Sequence, residues 1–342
     1  MGKLGILARL ALLKLPEPLA GRIYGRALRV VDGRRIDPRA QILGEIAAAL
    51  RGPGLPSVAE SRAQMARLAA RLDEPCPPGV RREDIALPGA EGPRAARVYR
   101  PEGAAGVMPT LFYLHGGGWI QCDLDTHDGL CGKLAAWAGI QVLSYDYRLA
   151  PEHKFPAGLE DALAAWRALA AEPAGHGIDP GRFAIGGDSA GGNLAAAVIH
   201  ELQAAGAALP AAQLLIYPAL DGRLQSGSVR SLHDAFLLGR DRIDWYLDLY
   251  LPEGQDRLDP RVSPMLSPHL AGQPPALIVI AGHDPLRDDG AGYAARLRAA
   301  GGAAELVEFP GQIHAFMSLT KVLPQGNAAI RRAAHWLRET LA

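Results

Sequence analysis

The chain has 342 residues, 49% of them hydrophobic, enough for one large α/β core with a smaller added element. Its 36 Lys plus Arg balance 36 Asp plus Glu, so no net field draws it to nucleic acid or an anionic membrane, and the expected partner is a neutral small molecule. No run approaches the roughly 20 apolar residues needed to cross a bilayer, which excludes a spanning helix.

Met1 to Ala20 place Lys3 before an apolar stretch, as a signal peptide does, but Arg9 and Lys14 interrupt it, and an amphipathic helix is expected instead. The whole of 1–75 is Ala-, Leu- and Arg-rich, with helical periodicity and no convincing strand. From about Ile85 onward, β-rich runs alternate with helical patterns. Strands are expected at Ala95 to Arg100, Thr110 to His115, Ile140 to Tyr145, Arg182 to Gly186, Gln213 to Tyr217, Ala276 to Ala281 and Glu305 to Phe309. Helices are expected at Leu130 to Ala138, Leu159 to Ala170, Gly191 to Ala204, Gly290 to Ala300 and Asn327 to Leu341. Runs such as Leu277-Ile278-Val279-Ile280 are apolar throughout, as strands buried on both faces require, so the fold class is α/β with a mostly parallel sheet covered on both sides.

Between Asp221 and Pro268 the alternation breaks, and Asp241 to Tyr250 return to helical spacing. The expected division is therefore 1–75 as an N-terminal helical cap, 76–220 as the first part of the core, 221–268 as a cap insertion and 269–342 as the second part of the core. Insertions on such scaffolds commonly gather at the ligand end of the sheet. Cys76, Cys122 and Cys131 are odd in number and lack metal-ligand spacing, so neither a disulfide framework nor a metal site is expected and a cytoplasmic setting fits. Cys122 and Cys131 are the pair that oxidation would join.

Gly187-Asp188-Ser189-Ala190-Gly191 follows an apolar strand and opens an apolar helix, the context of a G-x-S-x-G elbow whose serine projects above a sheet. The lysine and second hydroxyl of a phosphate-binding loop are missing. His115-Gly116-Gly117-Gly118-Trp119 ends an earlier strand, and its unobstructed amides suit an oxyanion hole. The expected donors are Gly117, Gly118 and Ala190, with His115 as a structural brace. His314 lies just after the last strand, where a loop at its carboxyl end reaches the serine, and is the expected base. Asp284 follows Ala276 to Gly282 and completes the chain order Ser189, Asp284, His314. His283 also stands at a strand end, while Asp288 and Asp289 are expected to cap the next helix and stabilise its dipole. A neutral serine hydroxyl needs such a base, and the base needs an acid to hold its tautomer and stabilise its charge. Trp119, Phe236, Leu237, Leu238 and Tyr246 are candidate apolar walls of the substrate pocket.

Together with Tyr147-Arg148-Leu149-Ala150-Pro151-Glu152 and Asp284-Pro285-Leu286-Arg287-Asp288, these motifs resemble the hormone-sensitive-lipase-like family of bacterial esterases (family IV carboxylesterases), over residues 85–342. The resemblance implies an α/β-hydrolase core of about eight strands, a helical cap, hydrolysis of short- to medium-chain acyl esters and no metal or organic cofactor. It assigns the oxyanion hole to Gly117, Gly118 and Ala190 and makes Arg148 and Glu152 a buried polar brace. Asp289 departs from the glutamate common at that position. An amidase, lactonase or deacetylase would use the same residues, and a non-hydrolytic binding protein would tolerate their loss. An exposed sheet edge allows a homodimer.

Overall fold

The computed structural model describes Arg9, Leu12, Leu13 and residues 17–24, 27–51 and 54–342. Most of the stretch expected to form an amphipathic helix over Met1 to Ala20 lies outside them. The helices are α1 (Glu17–Tyr24), α2 (Pro38–Leu50), α3 (Val58–Leu72), α4 (Asp128–Ala138), α5 (Ala157–Ala171), α6 (Ala190–Ala204), α7 (Gly227–Ser231), α8 (Arg240–Tyr250), α9 (Arg287–Ala299) and α10 (Gln325–Thr340). The strands are β1 (Val30–Val31), β2 (Arg34–Arg35), β3 (Val80–Gly89), β4 (Gly92–Pro101), β5 (Met108–Leu114), β6 (Gln141–Tyr145), β7 (Ile178–Asp188), β8 (Gln213–Ile216), β9 (Ala276–His283) and β10 (Ala304–Ile313).

Eight strands form one sheet in the order β10-β9-β8-β7-β5-β6-β4-β3. The β3–β4 and β4–β6 pairings are antiparallel and the rest are parallel. The expected mostly parallel sheet is thus observed, and β9 shows why its strands are apolar throughout. Ile278 and Ile280 point into one buried cluster with Leu159 of α5, Leu194 of α6 and Tyr293 of α9. Leu277 and Val279 point into the other, with Leu130 of α4 and Ile330 of α10. Successive side chains of a strand face opposite ways, so both sets must be apolar when helices cover both faces. Each such side chain contributes roughly 1.5–3 kcal/mol by leaving water.

Two strand assignments differ from expectation. Residues 1–75 contain a short hairpin, in which Val30 pairs with Arg35 and Val31 with Arg34 across Asp32-Gly33. Both turn residues have positive φ, 50° and 75°, as a tight Asp-Gly turn requires. At the far edge of the sheet, β3 starts at Val80, before the first expected strand, and only Leu87 along it is buried. An edge strand facing water has no apolar run to reveal it.

The two irregular stretches meet above the carboxyl ends of the strands. Helix α3 begins with a capping box between Ser57 and Glu60. Its Arg62 donates to the carbonyls of Ile120 and Ala150 and pairs with Glu152 at 2.7 Å. Glu152 is therefore not part of a buried brace, because its carboxylate meets Arg62 at the surface with 54% of the side chain exposed. Arg148 is buried, with Nε donating to Asp161 at 2.8 Å. Helix α8 ends at Tyr250, whose ring stacks on Trp119 at 4.5 Å.

Candidate active site

Ser189 lies between β7 and α6 with φ 53° and ψ −116°, outside the regions ordinary residues favour. Such a turn demands small neighbours. A Cβ at Gly191 would overlap the Leu114 carbonyl oxygen, and one at Gly187 would collide with Leu114 and Gly191 backbone. The elbow thereby lifts the hydroxyl off the end of the sheet.

Asp284 follows β9 and His314 follows β10, and the parallel β9–β10 pairing brings the two strand ends side by side. Ser189 Oγ donates to His314 Nε2 at 3.0 Å, while His314 Nδ1 donates to Asp284 Oδ2 at 2.7 Å. Asp284 is wholly buried, and its other oxygen accepts the Leu286 amide at 2.9 Å. The Tyr217 ring lies 4.8 Å from the imidazole and restricts its rotation. This arrangement can draw the proton from Ser189 and stabilise the imidazolium that results.

The Gly116–Trp119 loop follows β5, which pairs directly with β7. Gly117, Gly118 and Trp119 all have positive φ, at 112°, 60° and 61°. Among the described residues, neither the Gly117 nor the Gly118 amide donates a hydrogen bond, and Ala190 is the first residue of α6. These amides are free to meet an anion, and the helix start adds its positive end.

Asp188, at the variable position of the serine motif, is joined to the site by contacts that no sequence signal marks. It accepts the Gly116 amide at 2.9 Å and the Tyr113 hydroxyl at 2.8 Å, and it lies 3.1 Å from His127 Nε2. Burial alone would raise its carboxyl, but the His127 charge and these hydrogen bonds outweigh that and hold it below the usual range. Burial opposes the charge on His127 too, and Asp188 outweighs it, raising the imidazole. The buried ion pair ties the glycine loop to the residue before Ser189.

His115 is wholly buried, stacked on Tyr147 at 4.5 Å, with Nδ1 donating to the Gly116 carbonyl. His283, the other strand-end histidine, is buried, and burial and the Arg29 guanidinium pull its imidazole down to about 4. The expected caps are otherwise engaged. Asp288 accepts the Ser228 amide at 2.7 Å, and Asp289 accepts those of Leu220 and Asp221, both at 3.0 Å, so neither caps α9, although both stand in its first turn as the helix dipole favours. Asp288 thereby serves an amide at the start of α7, and Asp289 serves two loop amides that would otherwise lack partners.

Of the candidate wall residues, Trp119 belongs to the loop and Tyr246 lies against it, since a Cβ at Gly118 would be 2.5 Å from its ring. Trp119 is packed against Tyr250, Leu238 is buried in the cluster beside α6, and Phe236 packs against Gly44 of α2. Leu237 has φ 66° and packs against the cluster on the α4 side. A cavity of about 390 Å³, lined by Arg62, Arg94, Cys122, Asp146 and Glu152 among others, includes none of Ser189, Asp284 and His314. Cys76, Cys122 and Cys131 are free thiols. Among the described residues no cluster of His, Cys, Asp or Glu could hold a metal ion, and no helix is long and apolar enough to cross a membrane.

Residues 111–318 match a family model described as the alpha/beta hydrolase fold. The chain is 43% identical over 327 residues to the carboxylic ester hydrolase LipN of Mycobacterium tuberculosis, spanning 92% of this chain and 85% of that protein. It is 38% identical over 281 residues to an ethyl acetate hydrolase of Pseudomonas putida, spanning 81% of this chain and 87% of the relative. Among solved structures, the ester hydrolase EH1AB1 from the metagenome of Lake Arreo, in complex with a bipyridine phosphonate derivative, superposes with a TM-score of 0.86. Its identity is 40%, over 89% of this chain and 98% of the other.

Proposed function

Since the chain belongs to the hormone-sensitive-lipase-like family of carboxylic ester hydrolases with the α/β-hydrolase fold, we propose that it hydrolyses short- to medium-chain acyl esters through an acyl-enzyme on Ser189. The observation that carries this is the unbroken run of contacts from Ser189 Oγ through the His314 ring to Asp284.

Ser189 Oγ attacks the ester carbonyl as His314 Nε2 takes its proton, and Asp284 holds the imidazole in the tautomer that leaves Nε2 free to accept. The amides of Gly117, Gly118 and Ala190 receive the oxyanion of the tetrahedral intermediate. His314 returns its proton to the leaving alcohol, and the acyl group stays on Ser189. Water, deprotonated by the same imidazole, then releases the acid. The preference for short acyl groups is supported by the Pseudomonas putida relative, which is named for ethyl acetate. The described residues of 1–75, together with 221–268, form the cap over this site, with the Tyr246 ring against Gly118. The working environment is the cytoplasm, where the three free thiols stay reduced.

Hydrolysis of a p-nitrophenyl ester series from acetate to palmitate, by the parent protein and by Ser189→Ala, tests this. Turnover that peaks at the short chains and falls by about 10³-fold or more in the variant is the expected result. Turnover that survives the substitution would move the nucleophile elsewhere. Activity confined to amides of the same acyl groups would change the bond assigned.

A further inference from the structure

Three consecutive glycines are a poor support for aligned donors, because glycine has the widest backbone freedom of any residue. The Gly117 carbonyl is held by the amides of Ile120 and Gln121, at 3.3 and 3.2 Å. A Cβ at Gly117 would overlap the Gln121 carbonyl oxygen, so the Gln121 backbone lies directly against the loop. Whatever fixes Gln121 therefore fixes Gly117.

The Gln121 side chain is only 2% exposed and is held at both ends. Its Oε1 accepts from Ser61 Oγ of α3, and its Nε2 donates to the Tyr246 hydroxyl of α8 at 2.8 Å. Arg242, one turn before Tyr246 on α8, closes the circuit. Its Nη2 donates to Ser61 Oγ at 2.7 Å and its Nε to the Tyr246 hydroxyl at 3.1 Å. Four side chains thus form a ring in which Arg242 donates twice, Tyr246 accepts twice, and Ser61 and Gln121 each accept once and donate once. The Tyr246 ring also covers Gly118.

Arg242 has no carboxylate within 4.0 Å among the described residues, and its guanidinium lies 4.6 Å from the centre of the Trp245 ring. Partly buried, the guanidinium spends its directed donors on a serine and a tyrosine rather than on a carboxylate, so it orders these two side chains. The ring joins the two segments proposed as the cap, 1–75 and 221–268, at the side chain of Gln121, one of the two residues whose amides hold the Gly117 carbonyl.

We propose that the Ser61–Gln121–Tyr246–Arg242 ring is a positioning device through which the cap aligns the Gly117 and Gly118 amides on the developing oxyanion. This rests on the assignment of those amides to the oxyanion hole. Gln121 and Tyr246 are positioning residues that touch no reacting atom. When the cap helices are in place the ring is complete and the donors are aimed, and when they separate the loop loses its outer support.

Tyr246→Phe keeps the ring over Gly118 but removes the oxygen that accepts two hydrogen bonds, and Gln121→Leu removes the opposite corner. Both are to be compared with the parent, well below their unfolding temperatures, by kcat and KM on p-nitrophenyl butyrate and by the rate of Ser189 labelling with diethyl p-nitrophenyl phosphate. Each variant is expected to lose about tenfold in kcat with KM within about twofold, because misaimed donors weaken only the transition state. Labelling should slow in parallel, and the double variant should lose no more than about the larger single loss, since either change opens the same ring. Parental kcat and labelling rates in the two variants, with only a lowered unfolding temperature, would overturn the inference, as would a raised KM at unchanged kcat, which would make Tyr246 a pocket wall. Absence of any Ser189 adduct in the parent would overturn the proposed function as well, whereas a labelled parent with indifferent variants would overturn this inference alone.

Discussion

Ser189 is held at φ 53° between two glycines, Gly187 and Gly191, at which backbone leaves no space for a side chain. The constraint is concentrated at Gly191, where an added Cβ would run into the carbonyl oxygens of Leu114 and His115 rather than into a movable side chain. Gly191→Ala is accordingly expected to cost more than about 3 kcal/mol, read as a fall in the denaturant midpoint, and to abolish ester hydrolysis in whatever folds. A midpoint within error of the parent would show that the β5 end shifts to admit the methyl group. Asp188 shows the opposite economy at this scale. Its buried charge is compensated by His127 and by two hydrogen bonds, and it organises the glycine loop without joining the proton transfer.

Helices α6 and α9 lie on the same face of the sheet and share a buried polar contact within a largely apolar layer. His200 Nδ1 accepts from Gln273 at 2.8 Å, and Nε2 lies 2.9 Å from the Tyr293 hydroxyl, an arrangement that suits the neutral ring. Burial holds its imidazole down to about 4, against about 6.5 in an unfolded chain. The unfolded state therefore binds protons that the folded state refuses as pH falls from 6.5 towards 4. Stability must decline across that window, by about 1.4 kcal/mol for each tenfold difference in proton affinity, and His283 acts in the same direction. His127 has the opposite sign, since its raised imidazole stabilises most below 6.5 and loses that contribution as pH rises through its folded value. Thermal unfolding of the parent from pH 7 to 4 is expected to show a falling midpoint, and His200→Gln a shallower slope. An equal slope in both would assign the acid sensitivity to other groups.

Across the whole molecule, the end of α3 is tied to the core around a buried ammonium, beside backbone contacts such as the Lys321 amide on the Leu72 carbonyl. Lys133 of α4 is 2% exposed and lies 3.2 Å from Asp73 Oδ1, with Thr320 Oγ1 at 2.5 Å and Glu74 at 3.3 Å. Thr320 follows His314 by six residues, so one ammonium joins the end of the N-terminal segment, a core helix and the loop that carries the imidazole. Lys133→Met leaves Asp73 buried without its cation and is expected to lower stability by roughly 3–5 kcal/mol. Adding Asp73→Asn should recover much of that loss, because the orphaned charge is removed with its partner. Denaturant unfolding of the single and double variants measures both. A double variant no more stable than Lys133→Met alone would place the energy in Thr320 and Glu74 instead.

The α/β class, the parallel strands and the positions of Ser189, Asp284 and His314 at strand ends are all legible in the chain itself. A strand covered on both faces must be apolar at every position, and an elbow that crowds its neighbours must be built from small residues, so local composition records both requirements. The edge strand β3 and the Val30–Arg35 hairpin leave no such record, since one is charged and solvent-facing and the other is only two pairs long. Partner choice is decided by the tertiary structure alone. Ser61 meets Gln121 across 60 positions and Arg242 across 181, Glu152 finds Arg62 at the surface, and Asp289 serves the amides of Leu220 and Asp221. A hydrogen bond depends on where two groups end up after all layers have packed, and no periodicity in either segment encodes the position of the other.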